Sequence, residues 1–244
     1  MTLAGTFEER EMSTSVLADF PPTRAQFAGS WPDDFLFTIP ASAHTLNGFR
    51  AWVPSLPDKA RVMFYAGEVF LDMSNEDVFF HTSVKGEIFA VLHRLVKETS
   101  FGQIFQDGSL LTNEAANVSN NPDAVAVSWR SIEEGRFRVV VKEDAYPEME
   151  GSPDWVLEVV SPSSVTKDKK TLRTAYHAAG IREYWIVDAR GAELEFSILT
   201  STDAGYVAAA NVDGWQTSPV FGRAFKFTRT IDPRGYFEYS LQMR

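Results

Sequence analysis

Five apolar side chains and one carboxylate make up the run at 155–160, Trp-Val-Leu-Glu-Val-Val, with Glu158 as the interruption. A strand buried on both faces reads this way. An ionised Glu inside it demands a partner, because a bare carboxylate is costly to remove from water; Arg173 is the structural candidate for that partner. Pro162 has no N–H for a strand ladder and ends the run. Beyond it Leu172, Ala175, Tyr176 and Ala179 recur at helical spacing, and Gly180 stands where a C-terminal cap falls. The run at 183–188, Glu-Tyr-Trp-Ile-Val-Asp, predicts another strand. Strand, helix and strand in this order predict a right-handed, parallel βαβ unit.

The remaining pattern surrounds that unit. Residues 61–73 predict a hairpin around Gly67. A long helix is expected over 80–99, with Val84, Ile88, Val91, Leu92, Leu95 and Val96 as its apolar stripe and Thr82 or Ser83 as its cap. Strands are expected at 102–112 and 122–129 with a polar Asn/Ser loop between them, then a short exposed strand at 136–142 and an acidic loop at 143–151. After Asp188 a meander follows, with strands at 193–199, 206–209, 218–221 and 224–228. Residues 1–30 show little patterning, and Pro21-Pro22 should be extended. The expected fold is α/β (α+β): an N-terminal arm at 1–58 packed on a core at 59–200, with a β extension of the same domain at 201–244.

Composition narrows the function. With 244 residues, 44% of them hydrophobic, the chain can bury one sizeable core. The absence of cysteine excludes disulfides, thiolate nucleophiles and Cys-ligated zinc. No apolar run approaches the roughly 20 residues that span a bilayer, and the polar start carries no signal pattern, so a cytoplasmic protein without a membrane partner is expected. The net charge of −10 argues against a broad phosphate-binding surface, yet 165–182 holds Lys167, Lys169, Lys170, Arg173 and Arg182 against Asp168 alone. Phosphate loops, dinucleotide fingerprints, zincin motifs and nucleophile elbows are missing. The four histidines lack metal-ligand spacing, and His81 at the helix start reads as a cap or packing residue.

What remains is carboxylate chemistry. Residues two apart on a strand share a face, which aligns Asp154, Val156, Glu158 and Val160. Pro122-Asp123 opens another apolar strand, and Asp123 with Glu158 can converge on one divalent cation, Mg²⁺ or Mn²⁺. Such an ion activates water and neutralises charge on a phosphate. Asp154, in a second Pro-Asp pair, should sit at the beginning of its strand; Glu68 and Glu87 are further carboxylates that could join the site.

Pro122-Asp123, Glu158-Val159-Val160-Ser161, Ala175-Tyr176 and the run from Gly180-Ile181-Arg182 to Asp188 together resemble the Uma2 family of the PD-(D/E)XK nuclease superfamily, over roughly residues 60–200. The resemblance implies a restriction-endonuclease-like central mixed sheet flanked by helices, and Mg²⁺-dependent (or Mn²⁺-dependent) endonuclease hydrolysis of DNA with Asp123 and Glu158 as metal ligands. The motif lysine would fall at Val160, and a lysine that relatives carry four residues before the tyrosine would fall at Leu172. Lys170, on one helical face with Arg173 and His177, is the expected replacement as catalytic cation, with Arg173 gripping phosphate. The alternative is a catalytically inactive nuclease-fold module that binds nucleic acid or a protein partner; a homodimer is left open.

Overall fold

The computed structural model describes residues 37–57, 59–142 and 145–244, together with two-residue strands at Val16–Leu17 (β1) and Arg24–Ala25 (β2). The expected extended Pro21-Pro22 lies outside the described residues. After β3 (Phe37–Thr38) and helix α1 (Leu46–Trp52), strands β4 (Arg61–Tyr65) and β5 (Glu68–Asp72) form the predicted hairpin. Its two turn residues, Ala66 and Gly67, both have positive φ, 51° and 93°, as a tight two-residue hairpin turn requires.

Helix α2 (Ser83–Glu98) buries Val84, Ile88, Leu92, Leu95 and Val96, as its stripe predicts. Its lead-in differs from expectation. A π turn, Val78–Thr82, precedes it, and the cap is Asp77, whose carboxylate accepts from the N–H groups of Phe79 and Phe80 at 2.8 and 2.7 Å. Thr82 already has helical dihedrals and Ser83 turns its hydroxyl back to the Val78 carbonyl, so neither can cap.

Strands β6 (Gly102–Gln106), β7 (Leu110–Asn113), β8 (Val118–Asn120) and β9 (Ala124–Ser128) follow, then the short helix α3 (Trp129–Glu133). Next come β10 (Phe137–Lys142), β11 (Ala145–Gly151) and β12 (Trp155–Val159). A second π turn, Lys167–Thr171, runs into α4 (Leu172–Ala178), which ends before β13 (Glu183–Asp188). The meander comprises β14 (Glu195–Thr202), β15 (Gly205–Ala208), β16 (Gln216–Ser218), β17 (Arg223–Ile231) and β18 (Phe237–Met243).

Three departures from the sequence pattern stand out, and polar pairing underlies two of them. The stretch 102–112 splits into β6 and β7, which belong to different sheets. The polar segment after β7 contains β8, and most of the acidic segment 143–151 is β11 rather than loop. In the last two, buried polar side chains pair with one another: Thr112 and Ser119 hydroxyls lie 2.7 Å apart, and Arg50 from α1 grips Glu148 through Nε and Nη2, both at 2.8 Å. Paired polar groups tolerate burial that unpaired ones do not.

The strands form a seven-stranded sheet in the order β1-β5-β4-β8-β7-β11-β10, a six-stranded sheet in the order β15-β14-β13-β12-β9-β6, and a three-stranded sheet β16-β17-β18. Both larger sheets are mixed: β7 and β11 are parallel in the first, β12 and β13 in the second. The βαβ unit around 155–188 is therefore parallel, as expected, and lies within the six-stranded sheet.

That sheet is covered on both faces. Trp155, Leu157 and Val159 pack in one core with α2, and Trp185 there meets Phe225 at 4.9 Å between ring centres, which fastens the three-stranded sheet. Val156 instead packs with Leu172, Ala175 and Tyr176 of α4 and with Met63, Leu111 and Val118 of the seven-stranded sheet. Asp154 stands at the start of β12, as expected, and is almost wholly buried. Its carboxylate accepts from the Ser128 N–H at 2.7 Å and the Ser131 hydroxyl at 2.8 Å, and meets Arg182 at 3.0 Å. Asp154→Ala should therefore cost roughly 2–3 kcal/mol in urea denaturation, since it leaves buried donors without an acceptor, and should leave metal binding by the folded variant unchanged.

Candidate functional site

The chain passes from the seven-stranded sheet to the six-stranded one through 121–123, between β8 and β9. A cleft opens at this crossing. Arg61, Asp72 and Asn120 line it from the first sheet, Asp123 and Glu158 from the crossing and from β12. His81 and the segment from Ser161 to Asp168 complete its walls.

Asp123 is docked on β12 through both backbone and side chain. Its N–H donates to the Leu157 carbonyl at 3.1 Å, and its Oδ2 accepts from the Val159 N–H at 2.6 Å. These bonds straddle Glu158, so the two carboxylates singled out by the sequence enter one cleft. Glu158 is 2% exposed. Its Oε1 accepts from Asn120 Nδ2 at 2.9 Å and from the Tyr176 hydroxyl at 2.6 Å, while Oε2 faces Lys167 Nζ at 3.5 Å. Arg173 takes no part. Its guanidinium donates to the Tyr206 carbonyl at 2.6 Å, and its neighbour His177 reaches the Thr202 carbonyl at 2.7 Å, so this face of α4 holds the β14–β15 hairpin.

Lys170 is exposed and, with Arg173, lies outside the residues lining the cleft. A continuous α-helix would place Lys170, Arg173 and His177 together, but the π turn Lys167–Thr171 shifts the phase of everything before Leu172. It is Lys167 that points inward, its ammonium 2.9 Å from Asp168 Oδ1. Asp168 is in turn held by the Ser164 hydroxyl, and the Ser161 N–H donates to Ser164 Oγ at 2.9 Å. The serine-rich turn after β12 thus sets the position of the lysine. Val160, at the motif position, is buried and bonds the Val187 carbonyl. Leu172 is core. Glu68 is exposed on its hairpin and Glu87 accepts from the Leu241 N–H, so neither joins the cleft.

Electrostatics mark the cleft as cation-seeking. Four carboxylates line it (Asp72, Asp123, Glu158 and Asp168) against the two permanent cations Arg61 and Lys167. Burial pushes the Glu158 carboxyl up to about 8; Lys167 opposes this, whereas the charges of Asp168 and Asp123 add to it. Burial works against the charge on Lys167, but Asp168 and Glu158 hold its pKa above the usual lysine range. Asp72 is half-buried, which works to raise its carboxyl, yet donors from Ser163 and Ser74 and the nearby Arg61 bring it below the ordinary value. Glu76, His81 and Asp123 each offer a donor atom, all within 4.8 Å of one another, and this group could hold a metal ion. This grouping was not legible from sequence spacing, because the partners of His81 lie 5 residues upstream and 42 downstream: Glu76 and Asp123. Buried carboxylates in excess of cations, with imidazole nitrogen beside them, fit a divalent ion.

The model of the Uma2 family, described as "putative restriction endonuclease", matches residues 47–229, and the chain belongs to this family. Among solved structures, a "putative nuclease belonging to DUF820" from Anabaena variabilis is similar with a TM-score of 0.53, covering 73% of this chain and 90% of that one at 17% identity. At that identity the likeness speaks for the fold. No curated protein matches. The family supports a nuclease function, and among the described residues no helix is long and apolar enough to cross a membrane.

The buried carboxyl of Glu158 gives a pH signature. Its proton is held to about 8 in the folded chain against 4.5 for an ordinary Glu, so its contribution to stability is full below the lower value and is lost as pH rises through the upper one. Glu158→Gln cannot ionise. With chelator present, the stability difference between variant and wild type should move in the variant's favour as pH rises across this window. Urea denaturation at several pH values checks it, and a constant difference would contradict it.

Proposed function

We propose that this protein is a divalent-metal-dependent endonuclease acting on DNA phosphodiester bonds. The observation that carries the reading is the convergence of Asp123 and Glu158 in one cleft, with the Lys167 ammonium fixed beside Glu158. Asp123 and Glu158 would hold Mg²⁺, or Mn²⁺ in its place, which would supply Lewis-acid charge and lower the pKa of water. The residues themselves do the rest. Asn120 and Tyr176 fix the Glu158 carboxylate, and the backbone of β12 fixes Asp123. Lys167, held by Asp168, keeps a full positive charge where negative charge develops on the phosphoryl oxygens. In the hydrolysis, water oxygen bonds to phosphorus, the bond to the leaving sugar oxygen breaks, and that oxygen departs with a proton.

One observation favours the second reading, a nuclease-fold module that binds nucleic acid or protein without cutting. The basic segment around α4 is largely internally paired: Lys169 meets Asp188 and Glu195, both at 2.8 Å, and Arg182 meets Asp154. Little of it remains as an open phosphate-binding surface, and the chain is acidic as a whole. The catalytic reading needs only contacts inside the cleft.

Calorimetric titration of Mn²⁺ and plasmid cleavage separate the two. Binding should be lost in Asp123→Ala and in Glu158→Ala. Lys167→Met should keep binding but cut the cleavage rate by about 10²–10³-fold, the typical effect of removing one charge-stabilising donor, whereas Lys170→Met should cleave as the wild type does. Wild-type cleavage by Lys167→Met would remove that residue from the mechanism. Metal binding with no cleavage of double- or single-stranded DNA would favour the binding module.

A further inference from the structure

We infer that His81 is a nitrogen ligand for the cation at this cleft, with Glu76 as the carboxylate that orients its ring; the inference rests on the metal-dependent reading above. His81 belongs to the π turn that leads into α2, is 6% exposed, and lines the cleft. Its Nε2 lies 3.5 Å from Asp123 Oδ2, and its Nδ1 lies 3.3 Å from Glu76 Oε2 on the opposite side. Nδ1 is buried and makes no hydrogen bond. A neutral imidazole has one donor nitrogen and one acceptor nitrogen. Set between two carboxylates, it can satisfy only one of them, and the other nitrogen presents a lone pair toward an anion. A cation between that lone pair and the carboxylate resolves the conflict.

The surroundings decide which side the cation takes. Glu76 is outside the residues lining the cleft, and its other oxygen is already paired with Lys85 Nζ at 2.8 Å. Lys85 also pairs with Asp107 and stands 3.5 Å from Asp123 Oδ1, which leaves Asp123 Oδ2 and His81 Nε2 toward the cleft. Glu76 behind the ring, with Asp123 beside its far nitrogen, is the carboxylate–histidine–metal order that fixes a ligating tautomer. The π turn contributes directly, since the widened turn is what precedes α2 at this position and such turns recur at functional sites. A nitrogen donor moves preference away from magnesium, which favours an all-oxygen shell, toward Mn²⁺ and other first-row ions.

Pulsed electron paramagnetic resonance of the Mn²⁺-loaded full chain reads the ligand without any turnover. The wild type should show nitrogen hyperfine coupling from imidazole, and biosynthetic labelling of histidine with the heavier nitrogen isotope should change it. His81→Gln should abolish the coupling and lower the preference for Mn²⁺ over Mg²⁺ by about tenfold or more. Glu76→Gln should keep the coupling and weaken Mn²⁺ binding by about 10–100-fold, the usual effect of removing an outer-shell partner. Bound Mn²⁺ with no nitrogen coupling in the wild type overturns the inference while leaving the Asp123–Glu158 reading intact; absence of Mn²⁺ binding by the folded wild type overturns both. Because isotope labelling needs no variant, the assignment of a histidine ligand is decided even where His81→Gln fails to fold, and weakened Mn²⁺ binding by Glu76→Gln, whose carboxylate stands beside the His81 ring, then ties that ligand to His81, whereas unchanged binding would overturn it.

Discussion

The constraint on which the rest of the structure depends is the burial of one carboxylate in the middle of a central strand. Glu158 sits at 2% exposure among tryptophan, valine and leucine. Such a group must be given donors, and they arrive from three places: Asn120 from the neighbouring sheet, Tyr176 from the following helix, and Lys167 from the turn before it. Each of these residues also ties its own element to β12. The pairing that makes burial of the carboxylate tolerable is thus the same set of contacts that brings two sheets and a helix together around the cleft. A carboxyl so placed has a strong affinity for further positive charge, which links the folding constraint to the chemistry.

Much of this was legible in the sequence because apolar periodicity survives wherever an element has one dry face. The strands around 155–188, the hairpin at Gly67 and the stripe of α2 are in that category. So is the meeting of Asp123 with Glu158 in one cleft, since one opens an apolar strand and the other interrupts one. Even the unforeseen β18 shows the pattern in retrospect: Phe237, Tyr239, Leu241 and Met243 alternate with polar residues. The illegible parts are those where burial is secured by polar pairs instead. Nothing local distinguishes Glu148 and Glu150 from loop acids; their partner, Arg50, is about a hundred residues away. His81 is a similar case, defined by carboxylates that only the fold brings to it.

Lys170 lies away from the cleft for a geometric reason. Reading Lys170 into the site assumes that the helix keeps one pitch from its first residue, and the pitch changes at Leu172. The charge-rich segment around it also reads differently once folded. On paper it is a basic patch; in the structure Lys167, Lys169 and Arg182 are occupied by acids from other strands. Positive charge is delivered to one internal point instead of being spread over a surface.

The π turn at Lys167–Thr171 has a consequence for how such a chain can change. Wound as ordinary α-helix with no residue removed, this segment would swing every upstream position by about 100° relative to α4. Leu172, Ala175 and Tyr176 would keep their places in the core while Lys167 was carried off Glu158. Substitution at the exposed Lys170 has little to disturb, but the wide turn itself is fixed. A change of winding is barred at a place where drift in residue type is tolerated.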